Sequence, residues 1–147
     1  MSEATRIDLS HVVDRLLIND LFVRYTTALD AGNVETIVGC FAEDGSLESP
    51  LVGAYVGRAR IREFALRFAR YRDGGAQLRH VISNLAVEID GDHAQATCYL
   101  VTFLTRDGAS RLLGPGRYEC ELERIAGEWL FRRRVVILDH PAPLDGI

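Results

Sequence analysis

The second half of the chain constrains the fold most strongly, because long apolar runs alternate there with short turn signals. The turn signals are residues 90–92, 106–108 and 126–128, each of which contains a glycine. Turns of this composition between apolar runs are typical of an antiparallel meander. The sequence therefore predicts four long strands, with bounds of 78–89, 94–105, 111–124 and 129–139.

The first half predicts helices instead. Apolar residues recur at helical spacing over residues 9–31, and a stripe at four-residue steps runs from Val13 through Leu17 to Tyr25. Gly32 is well placed to end this helix, because glycine adopts the left-handed conformation at little cost. We therefore expect a first helix over residues 9–31.

Three further elements are predicted before the long strands begin. Asn33 is a candidate cap for a second helix, whose apolar positions run from Val34 to Phe41. Pro50 and Gly53 separate two short strand candidates, and Gly57 precedes a third amphipathic helix. The predicted bounds of the two short strands and of the third helix are 46–49, 54–56 and 58–72.

Helices followed by a run of long strands indicate an α+β fold. We expect the three helices to pack on one face of a curved, mixed but mostly antiparallel sheet, which makes a cone with an interior pocket. The chain has 147 residues and no linker or internal repeat, so residues 1–147 are predicted to form a single domain.

Composition excludes several classes of function. The net charge of -4 gives no reason to expect a nucleic-acid partner, and all 17 basic residues are arginine, which excludes Schiff-base and P-loop lysines. No apolar run is long enough to cross a membrane, and the polar first residues lack a signal peptide, so we expect a cytoplasmic protein.

Cys40, Cys98 and Cys120 form no close pair, and we expect reduced, buried thiols. No nucleotide, nicotinamide or metal motif is present, and no cofactor is predicted.

Asp30 is the first candidate for chemistry. It falls in the last turn of the first helix, where the negative end of the helix dipole disfavours a carboxylate. Residues that break a local preference are pointers to function, and an enclosed carboxylate at this position suits proton transfer. A solvated aspartate at a frayed helix end is the alternative interpretation.

His80 is the second candidate, near the start of the first long strand. Strand alternation places His80, Ile82 and Asn84 on one face. An imidazole and an amide among apolar residues fit the lining of a pocket, and a neutral histidine can pass protons at physiological pH. The alternative is a structural histidine that is hydrogen-bonded in the core.

The last strand contains three successive arginines after Phe131. Alternation sends Arg133 to the same face as Phe131, and Arg132 and Arg134 to the other. At least one of them must meet the pocket side, where an unpaired charge is costly, and should contact a carboxylate or a ligand oxygen. Arg133 is taken as the substrate-binding candidate, and two tyrosines join it as candidate pocket residues, Tyr55 and Tyr118.

With these positions in place, the sequence resembles the SnoaL-like branch of the nuclear transport factor 2-like superfamily over about residues 9–139. The resemblance rests on segments that occur in the expected order: INDLFVRYTTALDAGN at 18–33, FAEDG at 41–45, GRARI at 57–61, RHVISNLAVEI at 79–89, GRYECELER at 116–124 and GEWLFRRRV at 127–135. It implies a cone-shaped, cystatin-like α+β barrel that encloses a mainly apolar pocket. It also implies a homodimer or homotrimer.

The resemblance assigns roles to three residues. In dehydratases and dehydrochlorinases of this superfamily, an aspartate that ends the first helix and a histidine that opens the first long strand form a catalytic pair. Asp30 and His80 stand at those positions. Tyr25 stands where bile-acid 7α-dehydratase has a tyrosine, five residues before the aspartate, whereas the second histidine of scytalone dehydratase has no clear equivalent here.

The expected function is that of a cofactor-independent lyase of dehydratase type, or an isomerase, acting on a small, largely apolar cyclic substrate. His80, polarised by Asp30, would remove a proton, Tyr25 would donate a hydrogen bond, and Asn84 would orient the substrate. The alternatives are a SnoaL-type polyketide cyclase and a non-catalytic ligand-binding domain like a dioxygenase β subunit, because a fold does not fix a function.

Overall fold

The computed structural model describes residues 8–141, 144 and 147. These residues form three helices and six strands in the order that the sequence predicts. The helices are α1 (Leu9–Ala31), α2 (Val34–Gly39) and α3 (Arg58–Asp73), and the strands are β1 (Phe41–Ser49), β2 (Gly53–Val56), β3 (Gln77–Asp90), β4 (His93–Arg106), β5 (Ala109–Ile125) and β6 (Glu128–Leu138).

The strands form one six-stranded sheet with the order β2-β1-β6-β5-β4-β3. Neighbouring strands are antiparallel except β1 and β6, which are parallel, so the predicted mixed and mostly antiparallel α+β fold is confirmed. β2 and β3 lie at the two edges, and the sheet does not close into a barrel within the described residues. Register shifts interrupt the ladders, and bulges of this kind bend a sheet around the helices that pack on it.

The first helix and the long strands follow the prediction closely. α1 has the predicted bounds, and Gly32 ends it in the left-handed conformation with φ 70°. The side chain of Asn33 accepts a hydrogen bond of 3.2 Å from the backbone N–H of Thr36, which caps α2. Each long strand lies within two residues of its predicted bounds. No helix among the described residues combines the length and apolar character needed to cross a membrane.

The predicted apolar stripe of α1 is wrong in its first half. Val13 and Leu17 are 53% and 45% exposed, whereas Asp14 and Ile18 are buried. A four-residue step advances about 40° beyond a full helical turn, so a stripe drawn at such steps rotates off the contact face within three steps. The buried Asp14 accepts hydrogen bonds from Trp129 at 3.0 Å and from Arg124 at 2.8 Å, which fixes this end of α1 to β5 and β6.

The second helix is shorter than predicted. α2 ends at Gly39, and Phe41 is the first residue of β1 rather than part of a helical stripe. The Phe41 ring is fully buried, with its centroid 5.4 Å from that of Phe131 and 5.8 Å from that of Tyr25. Tertiary packing therefore overrides the helical pattern. Gly45 allows β1 to approach β6 closely, because a Cβ atom there would lie 2.9 Å from the Phe131 carbonyl oxygen.

Candidate functional site

Asp30 and His80 are in direct contact, although they lie 50 residues apart in the chain. The Asp30 Oδ1 atom lies 2.5 Å from the His80 Nδ1 atom, and Oδ2 accepts a hydrogen bond of 3.0 Å from the His80 backbone N–H. The two side chains are only 11% and 8% exposed. The end of α1 and the start of β3 thus build an enclosed carboxylate–imidazole pair, which Gln77 supports by donating a hydrogen bond to the Asp30 carbonyl.

The contact determines which imidazole nitrogen is free to act. A carboxylate accepts hydrogen bonds only, so Asp30 favours the tautomer that carries the proton on Nδ1. Nε2 of His80 is then unprotonated, and His80 lines the cavity described next. A neutral histidine that a carboxylate orients and that lines a cavity has the arrangement that a general base would need.

The cavity lies between the helices and the inner face of the sheet. About 530 Å³ there is not filled by atoms, open solvent at the mouth included, and about 40 Å³ is open to the centres of water-sized molecules. Most of its wall is apolar, which suits a mainly apolar group. Apolar lining comes from α1, α3 and the strands β3 to β6, and includes Leu29, Phe64, Phe68, Leu78, Leu100, Leu113 and Val136. The polar lining residues are Ser49, His80, Thr102, Tyr118 and Arg134.

Arg134 is the charged residue in this wall. It is 1% exposed, and its guanidinium carbon lies 4.1 Å from the centre of the Tyr25 ring and 3.7 Å from that of Tyr118. Its Nε atom is enclosed and has no hydrogen-bond partner among the described residues. None of the ion pairs formed by those residues includes Arg134. Two aromatic faces therefore hold an arginine that has no carboxylate partner within the described part of the chain.

Arg133 does not occupy the position predicted for it. Glu121 pairs with Arg133 and Leu122 with Phe131, so Arg132 is an extra residue in β6. This bulge lets Arg132 and Arg133 point the same way, out of the fold, where Arg133 contacts Glu48 at 3.3 Å. Strict alternation was the wrong assumption, and no signal within the arginine run marks the bulge. Arg134 is therefore the residue that sequence reasoning missed.

Tyr25 does not present its hydroxyl group to the cavity. The hydroxyl is enclosed and has no hydrogen-bond partner among the described residues, and Tyr25 is not part of the cavity wall. Burial raises the pKa of Tyr25 to about 12, so the phenol stays neutral at physiological pH. The Tyr25 ring packs against the guanidinium group of Arg134 and helps to hold that group in position. Tyr118 does line the cavity, and burial raises its pKa as well.

Asn84 and Tyr55 lie outside the cavity wall. A bulge between Ser83 and Ala86 interrupts β3, and Asn84 adopts φ 55° and is exposed there. The bulge ends the alternation that was expected to place Asn84 beside His80. Tyr55 is buried, and its hydroxyl accepts a hydrogen bond of 2.8 Å from Arg67 rather than facing a ligand.

The buried thiols predict a loss of stability in alkaline solution. Burial raises the pKa of Cys98 from 9.0 to about 11 and that of Cys120 from 9.0 to about 12. Because the folded protein holds these protons more tightly than the unfolded chain, the stabilisation is complete below pH 9.0 and is lost as the pH rises through the folded-state values. We expect the free energy of unfolding to fall by up to about 1.4 kcal/mol per pH unit for each thiol.

Urea denaturation at about pH 8 and about pH 10 measures this slope. Cys98→Ala should remove one thiol's share of the pH dependence, and the double variant with Cys120→Ala should remove both shares. A wild-type protein that is equally stable at both pH values would contradict the prediction.

A family model described as the SnoaL-like domain matches residues 10–135. None of the curated proteins matches the chain at a significant level. Among solved structures, a Mycobacterium tuberculosis protein of unknown function is 28% identical, with a TM-score of 0.83 over 94% of this chain and 79% of that one. A nuclear transport factor 2-like protein with a cystatin-like fold from Novosphingobium aromaticivorans is 26% identical, with a TM-score of 0.79 over 95% and 87%.

A third structure, of a candidate scytalone dehydratase from Novosphingobium aromaticivorans, is 17% identical, with a TM-score of 0.78 over 93% of this chain and 96% of that one. At this level of identity the similarity concerns the fold alone. The family model spans all three helices and nearly all of the sheet. The chain therefore belongs to the SnoaL-like domain family, within the nuclear transport factor 2-like superfamily.

Proposed function

We propose that this protein is a cofactor-independent enzyme that removes a proton from a small, largely apolar cyclic substrate. The reaction is then an elimination of dehydratase type or an isomerisation. The contact of 2.5 Å between Asp30 Oδ1 and His80 Nδ1, at the wall of an apolar cavity, is the observation that carries this proposal. The fold similarity to a candidate scytalone dehydratase agrees with it.

His80 acts as the base in this scheme. Its Nε2 atom takes a proton from a carbon next to an electron-withdrawing group, and Asp30 stabilises the imidazolium that forms. The hydroxyl of Tyr118 donates a hydrogen bond to the substrate oxygen that gains negative charge. The low polarity of the wall strengthens both interactions, because little water competes with them.

The two reactions differ only in where the proton goes. In an elimination, the electron pair of the broken C–H bond forms a C=C bond, and the leaving hydroxyl departs as water with the proton that His80 carries. In an isomerisation, His80 returns the proton to another carbon of the same conjugated system. Both use the same base and the same hydrogen-bond donor.

The proton-transfer step can be tested before the substrate is identified. We expect the protein to catalyse exchange of carbon-bound hydrogen for deuterium in at least one member of a panel of small cyclic ketones in D₂O, followed by NMR. His80→Ala should lower the catalysed exchange rate by roughly 10²–10⁴-fold, because it removes the base.

His93→Ala is the matched control, since His93 is exposed at the β3–β4 turn and lies outside the cavity. It should leave the exchange rate unchanged. A folded His80→Ala protein that exchanges the same ketones at the wild-type rate would remove His80 from the mechanism.

A further inference from the structure

We propose that the ligand of this cavity carries a carboxylate group, which binds edge-on to Arg134. The inference deepens the proposed function and rests on it only in placing the ligand in the same cavity as His80. It concerns recognition rather than the proton-transfer step, so the two can be tested separately.

The first argument is the charge of the cavity wall. No aspartate or glutamate is among the lining residues, and Arg134 forms no ion pair within the described part of the chain. The carboxylate oxygens of Asp30 contact the backbone N–H and the Nδ1 atom of His80 instead. A buried guanidinium without a partner is costly, and a ligand anion would supply the missing charge.

The second argument is the direction in which Arg134 can form hydrogen bonds. The Tyr25 and Tyr118 ring centres lie 4.1 Å and 3.7 Å from its guanidinium carbon, so two aromatic rings pack against it. Guanidinium N–H groups donate in the plane of the group, at its edge. Nε is enclosed and has no hydrogen-bond partner among the described residues. Neither terminal nitrogen is in that position.

Two terminal N–H groups in one plane match an anion with two coplanar oxygens. A carboxylate has this geometry and forms two parallel hydrogen bonds with arginine. The rest of the lining is mainly apolar, which suits a hydrocarbon ring attached to the carboxylate. Such a ligand would be a cyclic or aromatic carboxylic acid, with its ring extending from Arg134 towards His80. Arg134 is then a positioning residue for the substrate.

Binding of benzoate and of its neutral analogue benzamide to the whole protein tests this directly by calorimetry. We expect benzoate to bind roughly tenfold or more tightly than benzamide. Benzoate forms a hydrogen-bonded charge pair with Arg134, whereas benzamide offers the same cation only a neutral carbonyl oxygen. Arg134→Gln should remove this preference. Arg134→Lys keeps the charge but loses the planar fork, so it should weaken benzoate binding and keep part of the preference.

Arg133→Gln is the matched control, since that arginine lies next in the chain but faces outwards, and it should bind benzoate like the wild type. His80→Ala should also keep benzoate binding, which separates this inference from the proposed catalytic role. If the Arg134 variants do not fold, the comparison of benzoate with benzamide on the wild-type protein still decides. Equal binding of the two, binding of neither, or unchanged benzoate binding by a folded Arg134→Gln protein would overturn the proposal.

Discussion

Asp30→Asn is expected to abolish proton abstraction almost completely, although the side chain keeps its size and shape. One oxygen of Asp30 accepts a hydrogen bond from the His80 backbone N–H and the other contacts Nδ1. An asparagine would keep its oxygen towards the backbone N–H, so its NH₂ group would face Nδ1. Nδ1 of His80 would then have to accept a hydrogen bond from this NH₂ group, so the imidazole proton would move to Nε2. A protonated Nε2 cannot act as a base.

The expected loss in deuterium exchange is roughly 10⁴-fold, the size of the effect that the wrong histidine tautomer has in a serine-protease triad. Nitrogen NMR of the imidazole measures the tautomer itself and should show the proton on Nδ1 in the wild type and on Nε2 in the variant. Glu48→Gln is a control with the same chemical change at an exposed site. Wild-type exchange in Asp30→Asn, or an unchanged tautomer, would contradict the assigned role.

Phe131→Ala is expected to cause the largest loss of stability. The Phe131 side chain is fully buried, and its ring lies 5.2–5.5 Å from three other aromatic rings, those of Phe22, Tyr25 and Phe41. Truncation would leave a cavity between α1, β1 and β6 that this packed cluster cannot easily fill. We expect the free energy of unfolding to fall by about 3–5 kcal/mol.

Urea denaturation near neutral pH measures this change. The matched control is Phe103→Ala, because Phe103 is 40% exposed on the sheet and should cost considerably less. Equal losses in the two variants would show that the cluster around Phe131 is not the centre of the core.

The predicted elements agree with the structure where periodicity and turn chemistry act together. α1 ends where Gly32 allows it to end, and the first three long strands, β3, β4 and β5, each end at a glycine-containing turn. The boundary between α2 and β1 was harder to predict, because the apolar positions before Phe41 satisfy a helical pattern as well as a strand. Packing against Phe131 decides it, and that contact is not visible in a local window.

The candidate site was also predictable only in part. Asp30 stands out by its unfavourable place on α1 and His80 by its apolar strand, but their contact was expected only from the family resemblance. Arg134 and Asn84 were assigned to the wrong face because the prediction assumed regular strand alternation. A bulge interrupts that alternation in each of the two strands. A bulge depends on how two strands pair, so neither position could be corrected from its own strand.

The bulge at Arg132 also affects how this chain should be compared with its relatives. Inward-facing residues of β6 have odd numbers before the bulge, as Trp129 and Phe131 do, and even numbers after it, as Arg134 and Val136 do. An ungapped alignment with a relative whose strand is regular would match the cation of this cavity to a solvent-facing side chain. Whether a relative's interior is charged or purely hydrocarbon can thus be decided only after its strand pairing is known, since a one-residue insertion changes the answer without any substitution.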